Sequence, residues 1–239
     1  SPTPVKARAM DLGLPTFDVE STKDPRFHEW LESYSPDLLV VVAFRLLPPS
    51  VLSIPTLGSI NIHASLLPKF RGAAPIHHAV MQGETQTGLS SFFLNEEMDA
   101  GKLIHQVPTP IGPNETTGEV YNRLMEMSAS FIRESIYKIM KGDEAFIEQD
   151  HRKASPAPKL FDQHCKIDWS QSVQQIHNQI RGLSPFPSAY SLDGEGKRYK
   201  FFRTHILKNQ HALDFQDIEV GQLAKVHNDV VIRCQDGLL

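Results

Sequence analysis

Leu38-Leu39-Val40-Val41-Val42-Ala43-Phe44 is an unbroken apolar run near the start of the chain. Its length and its β-branched residues predict a strand that is buried on both faces, as strands are in parallel sheets covered by helices. Before it, Phe27, Trp30 and Leu31 recur at helical spacing within residues 25–34. A shorter strand is predicted over residues 15–19. Strand, helix and strand in this order predict a βαβ unit and an α/β fold.

Ser59-Ile60-Asn61-Ile62-His63 alternates between apolar and polar residues. Side chains alternate across a strand, so Asn61 and His63 are expected to project together from one face. A further strand over residues 89–94 leads into an acidic loop that carries Asp99. Ligands of open α/β sheets bind beyond the carboxyl ends of the strands, which predicts that these three side chains meet there.

An amide, an imidazole and a carboxylate at one edge of a sheet fit the chemistry of acyl transfer. Asn61 supplies a donor for a developing oxyanion, and His63 can carry protons near neutral pH. Asp99 would orient the ring and favour its charged form. Taken singly, each residue has an ordinary explanation, because polar groups on a strand face are usually only hydrogen-bonded and Asp-Ala-Gly commonly forms a turn.

The second half of the chain indicates a different organisation. Thr116 and Glu119 form a capping-box pattern that opens a long helix, which Gly142 closes. Residues 150–165 are proline-containing and unpatterned, as in a linker. Beyond them, a helix over residues 173–181 precedes short strands separated by Gly and Asp, which favours a small β-barrel. We therefore expect a catalytic domain over residues 1–149, a linker over 150–165 and a barrel domain over 166–239.

Composition narrows the possible functions. The 239 residues carry a formal net charge of -4, so binding to nucleic acid would have to be local rather than indiscriminate. The longest apolar run is far shorter than the ~20 residues that cross a bilayer, and no membrane span is expected. Cys165 and Cys234 lie far apart, which indicates neither a disulfide framework nor a zinc knuckle and fits a reducing compartment. The histidines show no metal-ligand spacing, and we expect no metal.

Four motifs occur in an order and at a spacing that resemble the 10-formyltetrahydrofolate-dependent formyltransferase family. They are Asn61-x-His63, Ser65-Leu66-Leu67-Pro68, Gly83-Glu84-Thr85-x-Thr87-Gly88 and Met98-Asp99-Ala100-Gly101. The resemblance extends over essentially the whole chain, including Ile167-Asp168-Trp169-Ser170. It implies a Rossmann-like formyltransferase domain followed by an OB-like β-barrel, with Asn61, His63 and Asp99 as the catalytic residues and no metal.

The same resemblance implies two sets of binding residues. Those expected to contact 10-formyltetrahydrofolate, the formyl donor, are Phe44, Arg45, Leu46 and Leu47, whose backbone would hold the pterin, and the turn Ser65, Leu66, Leu67 and Pro68. Those expected to contact tRNA are Lys69, Arg71, Lys197, Arg198, Lys200 and Arg203. Solvation of a surface strand explains the last four equally well.

The features Arg71-Gly72-Ala73-Ala74-Pro75 and the second domain resemble the branch of the family that formylates the amino group of methionyl-initiator tRNA. A cytoplasmic monomer is implied, with an organelle as the alternative compartment. The alternatives are glycinamide ribonucleotide, an aminosugar nucleotide or water as the acceptor, or a non-catalytic RNA- or folate-binding relative. Family members begin with a strand and a small-residue loop, followed by a tRNA-inserting loop, that nothing before Ser1 supplies. We therefore expect the 239 residues alone to fold poorly or act weakly.

Overall fold

The computed structural model describes residues 2–43, 46–142, 145–207, 217–226 and 229–239. Their helices are α1 (Pro4–Asp11), α2 (Pro25–Ser33), α3 (Pro49–Leu52), α4 (Pro75–Met81), α5 (Thr117–Lys141) and α6 (Val173–Gly182). Their strands are β1 (Leu39–Val41), β2 (Ser59–His63), β3 (Gln86–Phe93), β4 (Leu103–Pro110), β5 (Ala189–Leu192), β6 (Arg198–Phe201), β7 (Leu223–Val226) and β8 (Asp229–Ile232). No helix in these ranges is long and apolar enough to cross a membrane.

A mixed sheet in the order β1-β2-β3-β4 forms the centre of the N-terminal part. β1 runs parallel to β2, with Val41 beside Asn61, whereas β3 is antiparallel to both β2 and β4. β4 was not predicted, because Pro108 and Pro110 argue against a strand. An edge strand tolerates proline, and β4 pairs within this sheet only with β3.

Two predictions for the first βαβ unit are wrong. Residues 15–19 form no strand, and Phe17 and Val19 instead pack against the cluster around α2. The apolar run forms a strand only over Leu39–Val41, and Val42 is 54% exposed. The coarser prediction of an α/β fold is confirmed, since helices pack against a sheet that contains a parallel strand pair.

The long helix predicted from the capping box is confirmed as α5. The Thr116 side chain accepts from the backbone N–H of Glu119, and the Glu119 carboxylate accepts from the backbone N–H of Thr116. Gly142 follows in the left-handed conformation, with φ 67°. The buried stripe of α5 includes Val120, Leu124 and Phe131, which pack in one cluster with Leu89 of β3.

The region beyond α5 packs against the Arg71 loop and α4 of the N-terminal part. Residues 150–165 contain the short 3-10 turns His151–Lys153 and Asp162–His164, and Pro156 forms a parallel bridge with Arg71. α6 packs against α4. The strands that follow form two separate pairs, β5 with β6 and β7 with β8, so no closed barrel is present within the described ranges.

Candidate active site

A cavity of about 690 Å³ opens at the carboxyl end of β1 and β2. Its wall combines mostly apolar side chains with several polar groups, which is typical of sites for small molecules. Among the residues that line it are Val41, Leu46, Leu47, Leu52, Asn61, His63, Gly72, Asp99, Tyr121, Leu124 and Met125. The structure thus brings the three predicted catalytic side chains to one cavity.

Asn61 stands in β2 between two paired strands, beside Val41 of β1 and Phe92 of β3. This pairing fixes the backbone and directs the side chain to the cavity. Its Oδ1 is buried and has no hydrogen-bond partner. A buried polar atom without a partner costs ~1–3 kcal/mol. Oδ1 can only accept, so the atom of this amide that could donate to a developing oxyanion is Nδ2.

His63, two residues along β2, bonds a backbone carbonyl with one ring nitrogen and faces Asp99 with the other. The residue is 6% exposed, and Nε2 lies 2.8 Å from the carbonyl oxygen of Phe70. A carbonyl can only accept, so Nε2 carries a proton. Nδ1 lies 3.7 Å from Oδ2 of Asp99. With Nε2 as the donor to Phe70, Nδ1 is the ring nitrogen whose lone pair can accept a proton.

Asp99 reaches the imidazole from the loop after β3. Its φ is 52°, a left-handed conformation that costs a non-glycine residue ~1 kcal/mol or more. Its Oδ2 accepts the backbone N–H of Gly72 at 2.8 Å. Gly72 has a φ of 125°, and a Cβ there would lie 2.6 Å from the carbonyl oxygen of Ala157. Only glycine fits this close approach, which presents the N–H to the carboxylate.

The residues expected to contact folate are divided by the structure. Leu46 and Leu47 line the cavity, whereas Phe44 and Arg45 lie outside the described residues. The turn Ser65–Pro68 is not part of the cavity wall. Its polar groups bond inward, because Ser90 Oγ donates to the Ser65 carbonyl at 2.6 Å and Gln106 Nε2 donates to the Leu67 carbonyl at 2.9 Å.

The basic residues expected to contact tRNA mostly have partners within the chain. Lys69 pairs with Glu84 at 2.8 Å, and Arg71 Nη2 bonds Gln149 Oε1 at 2.7 Å. Arg198 pairs with Asp162 at 2.8 Å, and its guanidinium lies 3.5 Å from the ring centroid of Tyr190. Lys197 Nζ lies 5.1 Å from the ring centroid of Tyr199, and Lys200 is exposed.

Arg203 of this set bonds a residue of the first part of the chain. Its Nη2 donates to Glu119 Oε1 at 2.7 Å. This hydrogen bond, with those from Thr116, lowers the pKa of Glu119 from 4.5 to about 2. Arg203 therefore helps to join the β5–β6 region to the start of α5.

Sequence reasoning missed the contribution of α5 to the cavity. Tyr121 and Met125, one helical turn apart, line its wall although they lie outside the buried stripe. Large apolar residues on the polar face of an amphipathic helix are a signal that could have identified them. Among the described residues, no group of three or more His, Cys, Asp or Glu is arranged to hold a metal ion.

An apolar cavity that also holds an amide, an imidazole and a carboxylate, beside a mixed sheet, makes this an α/β protein with one candidate active site in the part of the chain described. The chain belongs to the formyl transferase family. The family model described as "Formyl transferase" matches residues 3–136, and the model of its C-terminal domain matches residues 159–239.

Relatives in bacteria carry the name methionyl-tRNA formyltransferase. The one from Chlorobium phaeovibrioides is 44% identical over 203 residues, which cover 85% of this chain and 63% of the relative. The one from Chlorobium chlorochromatii is 40% identical over 237 residues, covering 99% of this chain and 74% of the relative. The chain thus spans less than two thirds of the first relative's length.

Solved structures share the fold at low sequence identity. HypX from Aquifex aeolicus, in complex with tetrahydrofolic acid, matches with a TM-score of 0.67 and 20% identity over 90% of this chain and 37% of that protein. WlaRD, a sugar 3N-formyl transferase, matches with a TM-score of 0.71 and 17% identity over 98% of this chain and 78% of that protein.

Proposed function

We propose that this chain transfers the formyl group of 10-formyltetrahydrofolate to the amino group of methionyl-initiator tRNA. The family membership supports formyl transfer, and the names of relatives at 40–44% identity support this acceptor. The observation that carries the proposal is the convergence of Asn61, His63 and Asp99 on one cavity of about 690 Å³. Small-molecule sites have volumes of roughly 300–1,000 Å³.

In the proposed reaction each of the three side chains has its own step. The amine nitrogen attacks the formyl carbon while Nδ2 of the Asn61 amide donates to the formyl oxygen, on which negative charge develops. Nδ1 of His63 takes the proton released by the amine, since Nε2 is already protonated against Phe70. Asp99 stabilises the resulting imidazolium across 3.7 Å. The bond from the formyl carbon to N10 breaks, N10 takes up a proton, and the products are a formamide and tetrahydrofolate.

For the formyl donor, we propose that the pterin contacts residues 44–47, with Leu46 and Leu47 supplying apolar surface. The turn Ser65–Pro68 remains part of the proposed folate site, and Ser90 and Gln106 hold its backbone carbonyls in place.

For the acceptor, we propose a catalytic domain over residues 1–149, a linker over 150–165 and a tRNA-binding domain over 166–239 built as a small OB-like barrel. The matches to the family's two domain models, one on each side of residues 137–158, support this division. Lys69 and Arg71 beside the cavity, with Lys197, Arg198, Lys200 and Arg203, would contact the tRNA. The protein would act as a cytoplasmic monomer.

The test supplies 10-formyltetrahydrofolate labelled in the formyl group to the protein with charged initiator tRNA, an aminosugar nucleotide, glycinamide ribonucleotide or buffer alone. Label is expected on the methionyl-tRNA. Label on another acceptor, or formate released in buffer, would assign a different member of the family. Folate or tRNA binding without any transfer would indicate a non-catalytic relative.

A further inference from the structure

Gln149 is a buried polar side chain outside the catalytic trio, and every polar atom of its amide has a partner. The residue is 4% exposed. Its Nε2 donates to the carbonyl oxygens of Asp99 at 2.9 Å and Gly101 at 2.8 Å. Its Oε1 accepts from Arg71, from Nη2 at 2.7 Å and from Nε at 3.3 Å. Two loops that are distant in sequence therefore meet on one amide.

The two carbonyls that Gln149 binds lie on either side of Ala100. The Gln149 side chain therefore holds the backbone before and after this residue. Such support bears on Asp99 because its φ of 52° is a left-handed conformation, which even Asp adopts only as an isolated residue in a loop that holds it. The φ of Asp99 sets the direction of its side chain, and hence whether Oδ2 meets the Gly72 N–H and His63.

Arg71 carries the other side of this connection. Its guanidinium bonds Gln149, and Nη1 also lies 3.4 Å from Nδ1 of His151. Its backbone N–H bonds the carbonyl of Ser155 at 2.9 Å, and its carbonyl accepts from Ala157. We call the segment 149–157 the strap. Through these hydrogen bonds it holds the loop that presents the Phe70 carbonyl to His63 and the Gly72 N–H to Asp99.

We propose that Gln149 is a positioning residue for the reaction, which fixes the carboxylate of Asp99 against Gly72 and His63 through the backbone of the Asp99 loop. Arg71, which the resemblance to the family associates with tRNA contact, acts with it as a support of this loop in addition to that proposed contact. The strap thus belongs to the architecture of the catalytic site as well as to the connection between the two parts of the chain. This inference rests on the proposed function only where turnover is measured.

Three variants separate positioning from stability. Gln149→Met removes all the hydrogen bonds at similar volume. Gln149→Glu keeps an acceptor for Arg71. Its second carboxylate oxygen faces the carbonyls of Asp99 and Gly101 but cannot donate a hydrogen bond to them. The matched control is Gln179→Met, because Gln179 Nε2 also donates to two backbone carbonyls, those of His164 at 3.1 Å and Lys166 at 3.2 Å, away from the cavity.

The experiment measures the formyl-transfer kcat and KM, the Tm, and the amide hydrogen exchange of Gly72 by NMR in each protein. Gln149→Met and Gln149→Glu are expected to lower kcat by roughly 10- to 100-fold while KM for the formyl donor stays within about twofold, since positioning acts on the reacting geometry. Gly72 exchange is expected to accelerate in both by at least about tenfold as its acceptor moves, which is the loss of ~1.4 kcal/mol of protection. Gln179→Met is expected to change neither kcat nor the exchange rate of the Gly72 amide.

Gly72 exchange that stays at the wild-type rate in Gln149→Glu would overturn the proposal, as would a kcat equal to that of Gln179→Met. If the wild-type protein transfers no formyl group to any acceptor, the proposed function fails. The exchange of the Gly72 amide still decides the positioning role in that case, because it requires no substrate.

Discussion

Nδ1 of His63 lies 3.7 Å from Oδ2 of Asp99, although β2 supplies the first residue and a loop beyond β3 supplies the second. Phe70 holds the opposite ring nitrogen and Gly72 holds the carboxylate, so the same loop fixes both partners. The ring and the carboxylate consequently keep their relative orientation before any substrate enters.

Replacing His63 by Ala is expected to reduce kcat by roughly 100-fold or more, because the proton carrier is lost, while the Kd for folate stays nearly unchanged. Steady-state kinetics and a folate titration measure the two quantities. His28→Ala is the matched control, since Nε2 of His28 also contacts a backbone carbonyl, that of Thr22 at 3.0 Å. Equal turnover in the two variants would assign the proton transfer to another residue.

Replacing Asp99 by Asn tests the charge separately from the geometry. Asn keeps an oxygen that accepts the Gly72 N–H but cannot stabilise an imidazolium, so kcat is expected to fall at least about tenfold with little change in Tm. A thermal melt beside the kinetic assay checks this. A large drop in Tm with unchanged turnover of the folded fraction would show that the charge serves folding alone.

Replacing Gly182 by Ala is expected to destabilise the packing of α6 on α4. A Cβ at this position would lie 2.3 Å from Met81 Cγ and 2.9 Å from Met81 N, and overpacking of this kind costs ~1–3 kcal/mol. Urea unfolding gives the free energy of unfolding. Gly194→Ala is the control, because a Cβ there meets nothing within 4 Å and is expected to change stability by no more than ~0.5 kcal/mol. Similar values for both variants would contradict the close approach.

His177 is expected to make the protein less stable as the pH falls below about 6.5. The residue is 2% exposed, and its burial lowers the pKa of the imidazole below 6.5, so the unfolded chain binds more protons in this range. Its stabilising contribution is complete above the unfolded pKa and is lost as the pH falls through the folded pKa. Urea unfolding at pH 8 and pH 5.5 should show a smaller loss in His177→Gln than in the wild type. An equal loss of stability in both proteins would show that other residues cause the pH dependence.

Glu119 is expected to stabilise the folded protein, and to lose this effect at a lower pH than His177 does. Its pKa is lowered from 4.5 to about 2, so its contribution is present above about pH 4.5 and is lost as the pH falls towards 2. The side chains of Arg203 and Glu119 are 54% and 45% exposed. Solvent screening therefore limits the contribution of their ion pair to stability to ~1 kcal/mol or less. Glu119→Gln should therefore destabilise the protein at pH 6 and progressively less towards pH 3. A difference that does not shrink would refute the assignment.

The α5 helix and the alternation of β2 could be predicted from the sequence, because both depend on local patterns. The Thr116 and Glu119 capping box is complete within four residues, and the period of two places Asn61 and His63 on the same face whatever surrounds them. Residues 15–19 and β4 could not be predicted in the same way. Pairing in a sheet depends on partners that are distant in sequence, which allowed β4 to form despite Pro108 and Pro110.

The sequence by itself determined the α/β class, the capped helix and the three chemical groups of the candidate site. Only the tertiary structure decided that Nδ1 of His63 faces Asp99, that Ser90 Oγ bonds the Ser65 carbonyl and that Arg71 bonds Gln149. The physical reason is that local periodicity fixes which face a side chain occupies. Its hydrogen-bond partner is fixed by loops that come together only when the chain is folded.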